Sequence, residues 1–287
     1  MSNVIIIGSG PAGVSAALYA VRAGLSTTVI SSGIGTLAKA EKIENYYGFA
    51  EPISGEELAK NGIEGAKRLG VRFVTAEVVG LSYDEQYLVE TSAGAYSADG
   101  VIIATGSPRF APKLAGLATL EGKGVSYCAV CDAFFYRGKD VAVLGSGDYA
   151  LHEVQALLPV ARTVTLLTNG EARTAEFPSE VQINTAKLSE ITGDERVSGV
   201  VFANGGTLAL EGIFVAYGVA GSAELARKLG AEIDGNRIVV DATMATALPG
   251  LYAAGDCTGG LLQVAKAVYE GAKAGLELAK TLRSTAK

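Results

Sequence analysis

One pattern occurs twice in this chain and constrains its fold more than anything else in the sequence. The run "VIIIGSGPAGVSAALYAVRAG" opens with β-branched residues suited to a strand buried on both faces. It passes through a glycine loop into an alanine-rich helix, and a second strand follows over residues 27 to 30. From Asp140, "DVAVLGSGDYALHEVQALL" repeats the order and is followed by the strand "TVTLLT". Gly8, Gly10 and Gly13 fall on the G-x-G-x-x-G spacing, and Gly145, Gly147 and Ala150 on its G-x-G-x-x-A form. A strand, glycine turn, helix and parallel strand is the opening of a dinucleotide fold, so the chain is predicted to be α/β with two Rossmann-like domains.

Length allows this, since 287 residues suffice for two ordinary cores. With 49% apolar and 19% charged residues the chain reads as compact, and its 37 glycines suit many tight turns. A net charge of −6 provides no basic footprint for nucleic acid. The first twenty residues are nearly free of charge, yet three glycines and Pro11 interrupt them and "MSN" lacks a basic start. Neither a membrane helix nor a signal peptide is expected, and the reading is a cytoplasmic protein.

Two further segments resemble flavoprotein signatures. "VIIATGS" is a strand ending in Ala104, Thr105 and Gly106, and "LPGLYAAGDCTGG" is a strand ending at Gly255 and Asp256. In flavoproteins with two dinucleotide folds, the second pattern places an aspartate on the ribityl or pyrophosphate part of FAD. Because it lies near the end of the chain, the last residues must return to the first domain, making the second fold an insertion into the first. The expected organisation is an FAD-binding domain of residues 1–112 and 243–287, with residues 113–242 inserted. Glycine and proline residues at 106 to 116, and "TMATALPG", suit the hinges.

"CAVC" sits between these patterns, at Cys128 and Cys131, with Asp132 next. A structural zinc site needs four ligands, and Cys257 and His152, the remaining cysteine and histidine, do not form a spaced second pair. No metal is expected. Two small residues in a core and a redox disulfide both stay open on spacing alone.

The stretch "SYCAVCDAFFYRGKDVAVLGSGDYA" resembles the low-molecular-weight thioredoxin reductases, in which a C-x-x-C-D precedes the glycine loop of the inserted domain. "KIENYYGF" is similar to that family's flavin segment and supplies Asn45, while Gln263, beside Val264, falls near its flavin-contacting glutamine. The resemblance implies FAD held by Gly8, Ser9, Gly10, Pro11, Ala12 and Gly13, with the other residues named above around it. It implies a thioredoxin-like protein substrate and a homodimer. Cys131 becomes the sulfur that meets the flavin, Cys128 the one that exchanges with substrate, and Asp132 the proton donor and acceptor. It further implies that the inserted domain rotates, with residues near Pro108 and Thr243 absorbing the change.

The chain departs from the family where NADPH is read. The strand after the second glycine loop should be followed by a histidine and two arginines, but "TLLTNGEARTAEF" offers Thr168, Asn169 and Gly170, which cannot pair with a 2′-phosphate. An NADH site would want an acid at the end of that strand, and Glu171 lies slightly beyond the place. With "YGVAGSAEL" replacing a further family pattern, the chain looks like the flavin thioredoxin reductases that take electrons from ferredoxin. The alternatives are an NAD(P)H-dependent enzyme or a dithiol oxidase using oxygen. Tyr149 and His152, at the start of the second fold's helix, are placed on its surface or in the vacated nucleotide site. Cys257 is placed as packing near the flavin, and Tyr46 and Tyr47 over a flavin face or in the core.

Overall fold

A computed structural model describes residues 2–106, 112–127, 129–217 and 221–285. Two compact units result, Met1–Pro108 together with Gly221–Lys287, and Arg109–Ala220. The chain opens with β1 (Asn3–Ile7), α1 (Pro11–Arg22) and β2 (Ser26–Ser31), then α2 (Gly55–Arg68) and β3 (Arg72–Thr75). An antiparallel meander follows, β4 (Val78–Asp84), β5 (Gln86–Thr91) and β6 (Gly94–Ala98), leading to β7 (Gly100–Ile103).

The inserted unit contains β8 (Val125–Ser126) and α3 (Ala129–Asp132), then β9 (Asp140–Leu144), α4 (Asp148–Leu157) and β10 (Thr163–Leu167). After β11 (Gln182–Asn184), an antiparallel sheet of β12 (Leu188–Thr192), β13 (Gly199–Phe202) and β14 (Thr207–Ala209) precedes β15 (Gly212–Val215). On its return the chain forms α5 (Ser222–Lys228), the ribbon β16 (Ile233–Asp234) and β17 (Arg237–Ile238), β18 (Leu251–Ala253) and the long α6 (Val264–Thr285).

Each unit is built on a parallel sheet, in the order β18-β7-β1-β2-β3 in the first and β11-β10-β9-β15-β8 in the second. Val4 to Ile7 and Val141 to Leu144 are all buried, as central strands covered on both faces require. In the first unit α1 and α6 approach until their backbones touch. A Cβ at Gly271 would stand 2.0 Å from the Ala12 carbonyl oxygen, and one at Gly275 2.4 Å from that of Ala16. Ser15 Oγ also donates across this contact to the Val268 carbonyl at 2.7 Å.

The inserted unit ends earlier than its sequence suggests. The return falls at Gly221, not at 243, because α5 packs on β4 of the first unit. Ser222 Oγ donates to the Gly106 carbonyl and Lys228 Nζ to that of Val79, each at 3.3 Å. The turn signals in "TMATALPG" belong to a turn inside the first unit, where Asp241 Oδ1 accepts from the Thr243 and Ala245 amides at 2.7 and 3.1 Å. Thr243 is therefore no junction between units, and Pro108, the other expected hinge, lies outside the described residues.

The glycines separate by role. Gly271→Ala, which forces α1 and α6 apart, is expected to destabilise by about 1–3 kcal/mol. Gly65, within α2, has nothing within 4 Å of its missing Cβ, so Gly65→Ala is expected to stabilise by about 0.5–1 kcal/mol. Denaturation midpoints of the two variants check both signs.

Candidate active site

Three loops meet at the carboxyl edge of the first sheet. Gly8 adopts φ 112°, and a Cβ there would stand 2.4 Å from the Ala104 carbonyl oxygen; at Gly13 a Cβ would stand 1.9 Å from the carbonyl oxygen of Gly8. These two glycines let the loop lie flat on the strand ends. Gly10, by contrast, caps α1 with open space where its Cβ would be, no side-chain cap and no acid in the first turn. Pro11 occupies the first helical position, where no N–H is needed. The loop from Gly8 to Gly13, with Ser9 and Ala12 inside it, thus leaves the start of α1 open to an anionic pyrophosphate and fits FAD. Where an acid might have met a ribose, Ser31 Oγ donates to Ser9 Oγ at 2.9 Å and Ser9 Oγ to the Gly33 carbonyl at 2.8 Å.

Ala104 is buried, and Thr105 and Gly106 continue from β7 at the same edge. Gly255, with φ 87°, brings Asp256 there from β18; a Cβ at Gly255 would stand 2.8 Å from Ala12 Cβ. Two α6 side chains that sequence reading missed hold this turn. Lys266 Nζ donates to the carbonyls of Gly255 and Gly259 at 2.7 and 2.6 Å, while Glu270 Oε2 accepts from the Gly255 amide at 2.8 Å. The two side chains pair at 3.0 Å and are largely buried. Both polar groups of the peptide residue before Asp256 are thereby fixed. Their signal in the sequence, a lysine and a glutamate at i and i+4, is that of any surface ion pair.

Asn45 and Gln263, far apart in the chain, are brought together: Asn45 Nδ2 donates to Gln263 Oε1 at 3.0 Å, with Val264 opening α6 beside them. Tyr47 is fully exposed and Tyr46 lies partly buried against Phe49. Cys257 is buried, its Sγ facing the Ile103 and Ala254 carbonyls, and burial pushes its thiol up to about 12. It is a protonated packing residue at neutral pH.

In the inserted unit, Cys131 and Asp132 lie in α3, and Cys128 is outside the described residues. Asp132 Oδ2 accepts from Ser126 Oγ of β8 at 2.7 Å. Its charge helps raise the Tyr136 phenol, which burial raises more. The residues after it, Phe134 and Phe135, are exposed aromatics stacked edge to face. Tyr149 is not on the surface: it is buried in α4.

The second glycine loop again leads from a strand into a glycine-capped helix, without the positive φ of Gly8, and differs in what covers it. Gly145 packs as Gly8 does, a Cβ there standing 2.2 Å from the Ala216 carbonyl oxygen. At Gly147, which caps α4, a Cβ would stand 3.0 Å from Thr174 Oγ1. The Thr174 amide donates to the Ser146 carbonyl at 2.9 Å, and Ser146 Oγ donates to Glu171 Oε2 at 3.2 Å. Tyr217 donates to the other Glu171 oxygen. Asp148 adds a carboxylate in the first turn of α4, where an anionic ligand would lie.

An open pyrophosphate loop in one dinucleotide fold, and a C-x-x-C-D turn in a second fold inserted into the first, define a flavoprotein disulfide oxidoreductase. Comparison with known proteins agrees. The family model described as pyridine nucleotide-disulphide oxidoreductase matches residues 2–271. Thioredoxin reductases of Listeria monocytogenes and Aquifex aeolicus are 34% and 35% identical, covering 95% and 99% of this chain and 91% and 94% of their own. Among solved structures, an atypical thioredoxin reductase from Desulfovibrio vulgaris Hildenborough is 38% identical with a TM-score of 0.93, covering 99% of both chains. A ferredoxin-flavin thioredoxin reductase from Clostridium acetobutylicum is 32% identical, with a TM-score of 0.74 over 99% of this chain and 98% of its own. The chain belongs to the pyridine nucleotide-disulphide oxidoreductase family, among its low-molecular-weight thioredoxin reductases, and FAD is its cofactor.

Two outcomes follow from this geometry. Lys266→Met, which frees the Gly255 carbonyl and leaves Glu270 without its cation, is expected to weaken FAD binding about tenfold in a titration of the apoprotein. Cys257 is expected to resist iodoacetamide in the folded protein at pH 8 and to react once it is unfolded, read by mass.

Proposed function

We propose that this thioredoxin reductase takes its electrons from ferredoxin and not from a nicotinamide nucleotide, working as a cytoplasmic homodimer. The observation that carries this reading is the covered second glycine loop. Thr174 stands at Gly147, Glu171 engages Ser146, and Asp148 opens α4. A pyrophosphate brought there would meet two carboxylates and a backbone segment already hydrogen-bonded to the loop. Nor does the sequence after β10 supply a guanidinium pair for a 2′-phosphate.

FAD supplies the capacity to collect single electrons and to reduce a disulfide by two. The residues proposed to hold it are Gly8, Ser9, Gly10, Pro11, Ala12, Gly13, Asn45, Ala104, Thr105, Gly106, Gly255, Asp256, Gln263 and Val264. Two reduced ferredoxins give one electron each, and two protons are taken up per disulfide reduced. The chain's own chemistry then runs through sulfur. The Cys128 thiolate attacks the thioredoxin disulfide, forming an intermolecular bond and expelling the second thioredoxin sulfur as thiolate. Cys131 next attacks the Cys128 sulfur, closing the Cys128–Cys131 disulfide and releasing reduced thioredoxin. Asp132, oriented by Ser126, takes and returns the proton. Exposed Phe134 and Phe135, one residue beyond the redox turn, offer an apolar contact for a protein substrate.

An NADH-dependent reading has one observation in its favour, the return of Glu171 to the second glycine loop. Both of its oxygens already accept hydrogen bonds from Ser146 and Tyr217, which leaves that reading second. Stopped-flow reduction of the bound flavin decides between the donors. Reduced ferredoxin is expected to bleach it at least tenfold faster than saturating NADPH or NADH, and fast bleaching by either nucleotide would overturn the proposal. For the sulfur roles, Cys131→Ser is expected to trap a covalent complex with oxidised thioredoxin on a non-reducing gel. Cys128→Ser should trap none.

A further inference from the structure

The helix that follows the second glycine loop is turned toward the redox turn. Tyr149 and Glu153 lie one helical turn apart on α4 and are both buried, Glu153 being 1% exposed. Tyr149 donates from its hydroxyl to the Tyr127 carbonyl at 3.0 Å. Glu153 Oε2 accepts from the Ala129 amide at 2.5 Å, and its other oxygen lies 3.3 Å from His152 Nδ1. Tyr127 and Ala129 are the residues immediately before and after Cys128, and the Ala129 amide is the first of α3.

A glutamate is almost never buried unless a specific partner holds it. Here one such partner is a backbone amide next to a cysteine of the C-x-x-C. We propose that Tyr149 and Glu153 are positioning residues for the redox turn, gripping the peptide groups on both sides of position 128 so that the Cys128–Cys131 disulfide forms readily. The proposal rests on the reading of these two cysteines as a disulfide. Fixing the turn keeps one sulfur at high effective concentration near the other, which favours the closed disulfide over the dithiol. Loosening it lowers that concentration and moves the equilibrium toward dithiol. With its cleft covered by residues 171 to 174, the second dinucleotide fold then has a function that needs no nucleotide: its first helix is the platform on which the redox turn is built.

The test is the dithiol–disulfide equilibrium of the FAD-containing protein in dithiothreitol redox buffers, with no electron donor, read as alkylated thiols by mass. Glu153→Ala is expected to shift it toward dithiol about tenfold, a potential about 30 mV less negative. Glu153→Gln, whose amide oxygen can still accept from Ala129, should recover most of this. The isosteric Tyr149→Phe should shift it severalfold in the same direction, and Arg162→Ala, at an exposed pair with Asp140, not at all. A role confined to stability would lower the melting temperature and leave the equilibrium of the folded protein in place. If Glu153→Ala and Tyr149→Phe both stay within twofold of the parent, or move toward disulfide, the proposal is overturned. If the parent itself forms no Cys128–Cys131 disulfide, the functional reading falls and this inference with it.

Discussion

Backbone meeting backbone, with no side chain between, is the constraint on which the first unit depends. Gly13 lies on the Gly8 carbonyl, Gly8 on that of Ala104, and Gly271 and Gly275 on those of Ala12 and Ala16. Each contact removes the room a Cβ would need, and together they press α1 against both the sheet and α6. The strand ends, the start of α1 and the Gly255–Asp256 turn are drawn to one place as a result. The affinity of such a loop for pyrophosphate depends on how closely the phosphate approaches the helix amides, so packing behind the loop and binding in front of it are one problem.

The two glycine loops make the same point by contrast. Gly8 and Gly145 are packed alike, and both precede a helix capped by glycine. What differs at the helix start is the chain that comes next. In front of Gly10 there is open space; in front of Gly147 there is Thr174, with Glu171 and Asp148 beside it. The glycine spacing thus encodes the bend of the backbone and not the ligand. Only the residues that surround the bend decide whether an anion is welcome there.

This difference explains what the sequence made legible. Motifs in which a residue type answers directly to backbone geometry, such as Gly8, Gly13 and Gly255, were readable with no structure. So was the order of the two folds, since a Gly-Asp turn near the end of the chain requires a return to the first. The position of the return was not readable. "TMATALPG" carries strong turn signals, but a turn does not say which core it serves, and the contacts of Ser222 and Lys228 with Gly106 and Val79 are long-range. Lys266, Glu270 and Glu153 were missed for a related reason. Each is a charged residue on a helix, where solvent exposure is the ordinary outcome, and only burial reveals that each holds a backbone group. Glu171, slightly beyond the expected place in the sequence, is brought by its loop against Ser146.

Burial also separates the chain's thiols chemically. A sulfur reacts as thiolate, and the fraction of thiolate depends on surroundings before it depends on access. Cys257, closed in behind the Gly255–Asp256 turn with its thiol at about 12, has almost none at neutral pH. In a protein that handles disulfides, a thiol held protonated cannot enter thiol–disulfide exchange. The packing behind the Gly255–Asp256 turn, where Cys257 Sγ faces the Ile103 and Ala254 carbonyls, is what holds it so. Burial thus takes Cys257 out of thiol chemistry at neutral pH.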